Sequence, residues 1–349
     1  MERGYYMKEI IHVVEKLVNK PSPTGYTTQI MKWVQGYIEN LDYTVEKTNK
    51  GSVLFKLAGK SSSSARLLTA HVDTLGAMVR EVKADGRLKL NRVGGFTWNA
   101  VENEGCSIHT RDGRTYRGTI LMHQSSVHVY AKSGTIDRSD EHIEVRIDEK
   151  TTSKDQTSAL GISVGDVVSF DARFEHTASG FIKSRHLDDK LSVALLLSLA
   201  KKVKDESLSL PVDTYIYISN NEEIGYGGNS SIPSNVSEYL AVDMGALGDG
   251  QASNEYTVSI CAKDGSGPYH YELTSHLISL AKEHDIPHAV DIYPYYASDA
   301  SAAVKAGADV KHALCGAGIE SSHAYERTHE DSMNATYRLL EKYILSPLV

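Results

Sequence analysis

At 349 residues the chain is too long for one ordinary domain and suits one large domain plus a smaller one. Hydrophobic residues make up 41% and charged residues 23%, the balance of a soluble globular protein whose core needs no disulfide. A formal net charge of −8 with no extended basic tract excludes nucleic acid and anionic membrane surfaces as expected partners, and no run of 18 apolar residues offers a membrane span.

Ile10, Val13, Val14, Leu17 and Val18 recur at helical spacing, so an amphipathic helix is expected first, broken by Pro21-Ser22-Pro23. Met1 to Glu15 alternates charged and apolar residues and lacks the continuous apolar core of a secretion signal. A second helix is expected from about Tyr26 to Leu41. Ser52 to Leu57 and Arg66 to Ala70 read as buried strands, with Ser61 to Ser64 as a loop between them. From about Ala77 to Glu175 the character changes. Asp85-Gly86 and Asp112-Gly113 are hairpin-turn dipeptides between strand-like runs, Val167 to Phe170 is another such run, and long helical periodicity is missing. These features predict a β-rich domain, 77–175, inserted into a discontinuous α/β domain formed by 1–76 and 176–349.

Beyond Phe181, helices and strands alternate again. Asp189 to Lys202 is apolar nearly all round, the pattern of a buried helix. Thr214 to Ser219, Leu240 to Val242 and Tyr256 to Cys261 read as strands; Leu273 to Ala281 and Met333 to Ile344 read as helices. The alternation predicts a three-layer αβα domain with a mainly parallel central sheet. Cys106, Cys261 and Cys315 are odd in number and far apart, which argues for a reducing compartment; with no export signal, the cytoplasm is the expected location.

Acidic and histidine residues gather at strand ends. His71 and Asp73 follow Leu67 to Ala70, Glu222 and Glu223 follow Tyr215 to Ser219, Asp243 closes Leu240 to Val242, and Asp188-Asp189 precedes the buried helix. Ligands of open α/β sheets bind outside the carboxyl ends of the strands, so three strands would deliver these groups to one edge. Carboxylates so close resist ionising together, and bound cations remove the conflict. Such a set suits two divalent metals roughly 3.5–4 Å apart. Each pair alone is weak: adjacent acids are commonly a solvated helix start, and a strand-end His-x-Asp is ordinary.

Three other motifs carry less. Gly161-Ile162-Ser163-Val164-Gly165 has the letters of a nucleophile elbow, but a strand-like run follows where a helix is required. Gly59-Lys60-Ser61 ends like a phosphate loop whose first glycine is replaced by Leu54. His284 and His288 are separated by Pro287, which would break a helix presenting both.

The order Thr69 to Gly76 (with His71-Val72-Asp73), Leu187-Asp188-Asp189-Lys190, Asn221-Glu222-Glu223-Ile224-Gly225, Val242-Asp243 and Ser322-His323-Ala324 resembles the tetrahedral aminopeptidase family over essentially the whole chain. That family includes glutamyl and deblocking aminopeptidases, and some members were once labelled endoglucanases. The resemblance implies His71, Asp188 and Asp243 on one metal and Asp188, Glu223 and His323 on the other, with Asp188 bridging. It implies Asp73 bonded to the far nitrogen of His71, and Glu222 as general base acting on metal-activated water. Zinc or cobalt is the expected pair, with manganese acceptable to the same ligands; no organic cofactor is expected. Short peptides are the implied substrates, and the inserted domain would pair subunits into dimers that assemble as a dodecamer. Lys190 and Ser192 depart from the family's usual Arg and Gly; neither is an implied ligand. The competing readings are a metal-dependent deacylase or carboxypeptidase on the same scaffold, and a non-catalytic oligomeric scaffold. Glucanase activity is discounted, because glycosidases work with paired carboxylates and no obligatory metal.

Overall fold

Residues 2–349 are described by the computed structural model; Met1, which began the segment read for a secretion signal, lies outside them. The centre is a mixed sheet. Its middle strands, Leu210–Ser219, Gly59–His71, Val236–Val242 and Lys311–Ile319, lie side by side and all run parallel. Antiparallel strands flank them: Val53–Leu57 beside the first, and Val258–Asp264 beside the last. The parallel core therefore stands where the alternation of elements predicted it, and the antiparallel borders are what the pattern did not reveal.

Ser61 to Ser64 do not form the expected loop. They belong to the long strand Gly59–His71, whose start pairs with Leu210 and Val212 before a register shift at Val212/Asp213. Four serines carry no apolar alternation to signal a strand; Ser61 pairs with Val212, Ser62 to Ser64 fill the register shift before Ala65 pairs with Asp213, and the Ser64 hydroxyl bonds that of Ser237 at 2.9 Å.

One face of the sheet is buried by the helix Leu187–Asp205, which places a leucine-rich surface against Leu68, Ile216 and Leu240. The helices Glu2–Val18, Thr28–Glu39, Tyr271–Glu283 and Glu330–Leu345 complete that layer. Being sandwiched between sheet and helices, Leu187–Asp205 needs no polar face over most of its length, which explains its composition. The opposite face is covered more thinly, by the helix Asp299–Lys305 and a tyrosine-rich cluster of Tyr217, Tyr239, Tyr269 and Tyr293.

Between the sheet strand ending at His71 and the segment entering Leu187, the chain builds a closed barrel. Its strands, in order around the barrel, are Gly76–Val82, Leu88–Val93, Ile143–Ile147, Thr115–Met122, Gly105–His109 and Val167–Phe170. Both expected hairpins are present, turning through Gly86 and Gly113 with φ of 83° and 86°, a conformation that glycine adopts without steric cost. The barrel has its own core, including Leu90, Trp98, Ile108, Ile120, Val145 and Val168. The region after Val167 also explains the failed elbow: Gly161 to Gly165 is a turn leading into a barrel strand.

A small third sheet of Glu175–His176, Phe181–Ser184 and Glu326–His329 ties the chain's later part to the entry of the buried helix, with Ser184 opposite Glu326. At the far end of the sheet, buried Arg66 reaches the last helix. Its guanidinium donates to the carbonyls of Tyr343 and, at 2.8 Å, Ser346. Glu238, also fully buried, accepts from the Tyr343 hydroxyl at 2.7 Å and from the Val349 amide. No helix among the described residues is long and apolar enough to cross a membrane.

Candidate metal centre

Three adjacent parallel strands end at one rim of the sheet and present His71, Glu222-Glu223 and Asp243 there. Asp188 and Asp189 arrive from the start of the buried helix, where both depart from helical φ/ψ, and His323 comes from the loop before Glu326–His329. Asp188 gives one carboxylate oxygen to each imidazole: Oδ1 lies 3.2 Å from His71 Nε2 and Oδ2 lies 3.4 Å from His323 Nε2. Glu222 Oε2 is 3.7 Å from His71 Nε2, and Glu223 Oε2 is 3.6 Å from His323 Nε2. Oxygens of Asp189 and Asp243 and a His71 nitrogen all fall within 4.8 Å of one another. The seven residues to which the resemblance assigns roles thus share one site, with Asp73 directly behind His71.

The neighbours fix the two rings. His71 Nδ1 lies 3.0 Å from the Asp73 carbonyl and 3.5 Å from its Oδ1, so the backbone is the nearer acceptor, not the carboxylate. The Asp73 carboxylate is instead a hub, accepting from Thr24 Oγ1 at 2.6 Å and from the amides of Glu222 at 3.1 Å and Glu223 at 3.3 Å. His323 Nδ1 donates to the carbonyl of Gly95, which belongs to the barrel side of the molecule, at 2.5 Å. In both rings Nδ1 has a backbone carbonyl to donate to, which leaves Nε2 facing the carboxylates, as a donor while the ring is protonated and as the free ligand atom when it is neutral.

Two residues here, Glu326 and Asp299, escaped the sequence reading, and a third, Asp189, stood in it without a role of its own. Asp189 is fully buried and its Oδ2 accepts the His71 amide at 3.2 Å; the paired acids were visible, but not which way each faces. Glu326 accepts the amides of Asp188 at 3.1 Å and His323 at 3.2 Å. Asp299 accepts from Ser219 Oγ at 2.5 Å and from the Gly228 amide at 2.6 Å, bracing the segment that follows Glu222-Glu223. Lys190, the family departure, is buried and donates to the Lys20 carbonyl at 2.8 Å, away from the two imidazoles.

So many buried acids distort one another's protonation. Burial, with the charges of neighbouring acids, raises Asp189 and Glu222, pushes Glu223 up to about 8 and Asp243 up to about 7. Burial and the Asp188 charge likewise push Glu326 up to about 8. Burial alone would raise Asp188, yet the His323 and His71 imidazoles close beside it hold it well below the usual carboxylate range. Burial would also lower both imidazoles, but contact with Asp188 and the other acids raises His71 well above its ordinary value and lifts His323 to about 11. Asp188 Oδ1 and Asp189 Oδ1 are buried without a hydrogen-bond partner. Unpaired buried acceptors are costly, and oxygen and imidazole donors are ligands for divalent transition metals, so the residues present fit such ions.

Beside the cluster lies a cavity of about 810 Å³. Glu222 and Glu223 both border it; the Glu222 side chain keeps 15% exposure against 3% for Glu223, so Glu222 is the more accessible of the pair. Away from the acids the walls are mainly apolar or aromatic, with Met244, Ala246, Tyr293, Tyr296 and Ala302, and Lys305 stands on the lining as a cation.

Buried carboxylates and imidazoles at the carboxyl ends of parallel strands, opening on a cavity, suit a metal-dependent hydrolase. The profile of the M42 glutamyl aminopeptidase family matches residues 51–339. YhfE of Bacillus subtilis (strain 168), provisionally named an aminopeptidase, is 54% identical over 343 residues, covering 98% of this chain and 99% of that protein. Among solved structures, the aminopeptidase APDkam598 of the archaeon Desulfurococcus kamchatkensis superposes with a TM-score of 0.86 at 22% identity, covering 98% of this chain and 96% of that one. The Pyrococcus horikoshii TET1 peptidase, which can assemble into a tetrahedron or a large octahedral shell, gives 0.85 at 20% identity, covering 97% and 100%. The chain belongs to the M42 glutamyl aminopeptidase family and is a metal-dependent aminopeptidase.

Proposed function

We propose that the chain removes N-terminal residues from short peptides at a two-metal centre, with His71, Asp188 and Asp243 holding one divalent cation and Asp188, Glu223 and His323 the other. The observation that carries this reading is Asp188, whose two oxygens face two different imidazoles at 3.2 and 3.4 Å, as a shared ligand must. Cations bound there supply Lewis acidity toward the scissile carbonyl and toward water. Glu222 takes the proton of the attacking water and returns it to the leaving amine, a role that suits its place on the cavity wall. Asp73 keeps Glu222 and Glu223 in place through their amides, and the Gly95 carbonyl keeps the His323 ring from rotating. Zinc or cobalt suits the donor set, and manganese is compatible with it.

Replacing Glu222 by Gln tests the assignment. Turnover should fall by about 10²–10⁴-fold while metal content stays at the wild-type level. Unchanged turnover would remove Glu222 from the chemistry; loss of metal together with turnover would make it a ligand instead.

The relatives' assemblies and the closed barrel support a homo-oligomer in which barrels pair subunits into dimers that close into a dodecamer. Val127 and Val129, 73% and 71% exposed on the segment leaving the strand Thr115–Met122, give that side of the chain apolar surface to cover. Three buried free cysteines support a reducing, cytoplasmic setting.

A further inference from the structure

We propose that Glu326 is a positioning residue that sets the distance between the two halves of the metal centre, an inference that rests on Asp188 and His323 being ligands. Its carboxylate is buried, with 2% of the residue exposed. Oε2 accepts the backbone amide of Asp188 at 3.1 Å, and Oε1 accepts that of His323 at 3.2 Å. The two amides belong to segments more than a hundred residues apart, one entering the helix Leu187–Asp205 and the other on the loop before Glu326–His329.

The surroundings show why one carboxylate is used. Both segments contain residues in left-handed backbone: His186 at φ 69° on one side, Ser321 and His323 at φ 59° and 63° on the other. Non-glycine residues hold that conformation only when neighbouring contacts impose it. The His323 loop is closed at its base by paired bonds between Glu320 and Arg327, at 2.9 and 3.2 Å, so Glu326 lies inside the loop and can reach its amide. Ser184, four residues before Asp188, pairs with Glu326 across the small sheet, which brings the other amide within reach. Each oxygen of Glu326 accepts one of these amides, whereas an amide side chain of the same shape accepts at one end and sets N–H against N–H at the other. Because Asp188 faces both imidazoles, a shift of its segment relative to His323 disturbs both cation positions.

Glu326→Gln and Glu238→Gln are compared with the wild type. Glu238 is an equally buried carboxylate, but its bonds go to Tyr343 and Val349, remote from the centre. Melting and circular dichroism of the metal-free proteins establish that each is folded, and competition with a chromogenic chelator gives the zinc dissociation constants. E326Q should bind zinc about 10–100-fold more weakly, with the metal concentration for half-maximal peptidase activity shifted in parallel. E238Q should melt lower and keep wild-type zinc affinity. If E326Q does not fold, Glu326→Asp, which keeps the carboxyl group but is one methylene too short to span both amides, is measured the same way and should also bind zinc more weakly. Zinc affinity within twofold of wild type in a folded variant overturns the clamp, whereas a wild-type protein that binds no zinc, cobalt or manganese overturns the metal-site reading itself.

Discussion

Asp188 and Asp189 are adjacent in sequence and face different partners: Asp188 looks toward both imidazoles, and Asp189 accepts the amide of His71. The sequence showed that two acids stood there and the family resemblance chose between them; only the backbone's departure from helical geometry shows how both are used. Asp73 was legible as a partner of His71, but its bonds to the Glu222 and Glu223 amides were not, because they depend on two strands being neighbours. Glu326 had no signal at all, since an acid on a short strand is ordinarily a solvated one. Protonation gives a test at this scale. Groups that bind protons more tightly folded than unfolded stabilise the fold below their unfolded pKa and lose that contribution as pH rises through the folded one. Glu223 at about 8 and Asp243 at about 7 are both raised. The metal-free chain should therefore melt at progressively lower temperature from about pH 4, the ordinary carboxylate range, to about pH 8, and saturating zinc should flatten the trend. A metal-free melting temperature that climbs across that window would mean these acids ionise freely. Lys305 offers a second test: as a cation on the lining of a largely apolar cavity, it should favour acidic N-terminal side chains. Lys305→Glu should lower kcat/KM for an acidic anilide and raise it for a basic one, by about tenfold or more each. The same preference in both proteins would place the recognition elsewhere.

The elements that deliver the site were the most legible part, because strands and helices of this length advertise themselves by period. The long strand Gly59–His71 was read short at its serine-rich start, where pairing without apolar contacts leaves no pattern. One close contact deserves a test of its own. The strand carrying Asp243 runs so near Lys311–Ile319 that a Cβ built on Gly316 would stand 1.8 Å from the Asp243 carbonyl oxygen. Gly316→Ala must push the strands apart. A loss of about 1–3 kcal/mol in urea unfolding is expected, with zinc affinity reduced because Asp243 moves with its backbone. Wild-type stability in that variant would show that the sheet relaxes there without strain. The barrel's contribution is also local: the Gly95 carbonyl meets His323, and Glu104 pairs with Arg185 at 3.2 Å, three residues before Asp188. No periodicity or motif could have announced either contact.

At the scale of the molecule, the proposed shell makes a simple prediction. Light scattering of the purified protein should give twelve times the 38.3 kDa of one chain, and trimming the exposed Val127 and Val129 to Asp should release smaller species. A monomer at micromolar concentration would remove the assembly, although not the chemistry. The clasp at the far end of the sheet has another consequence. Arg66 sits on a strand in the middle of the sheet, yet its guanidinium finds acceptors on Tyr343 and Ser346, and Glu238 on the adjoining strand takes the Val349 amide. A nascent chain emerging from the ribosome can collapse its leading helices early. Arg66 and Glu238 on its innermost strands lack these partners until residues 343–349 have been made, so the far end of the sheet can close only after that segment is present.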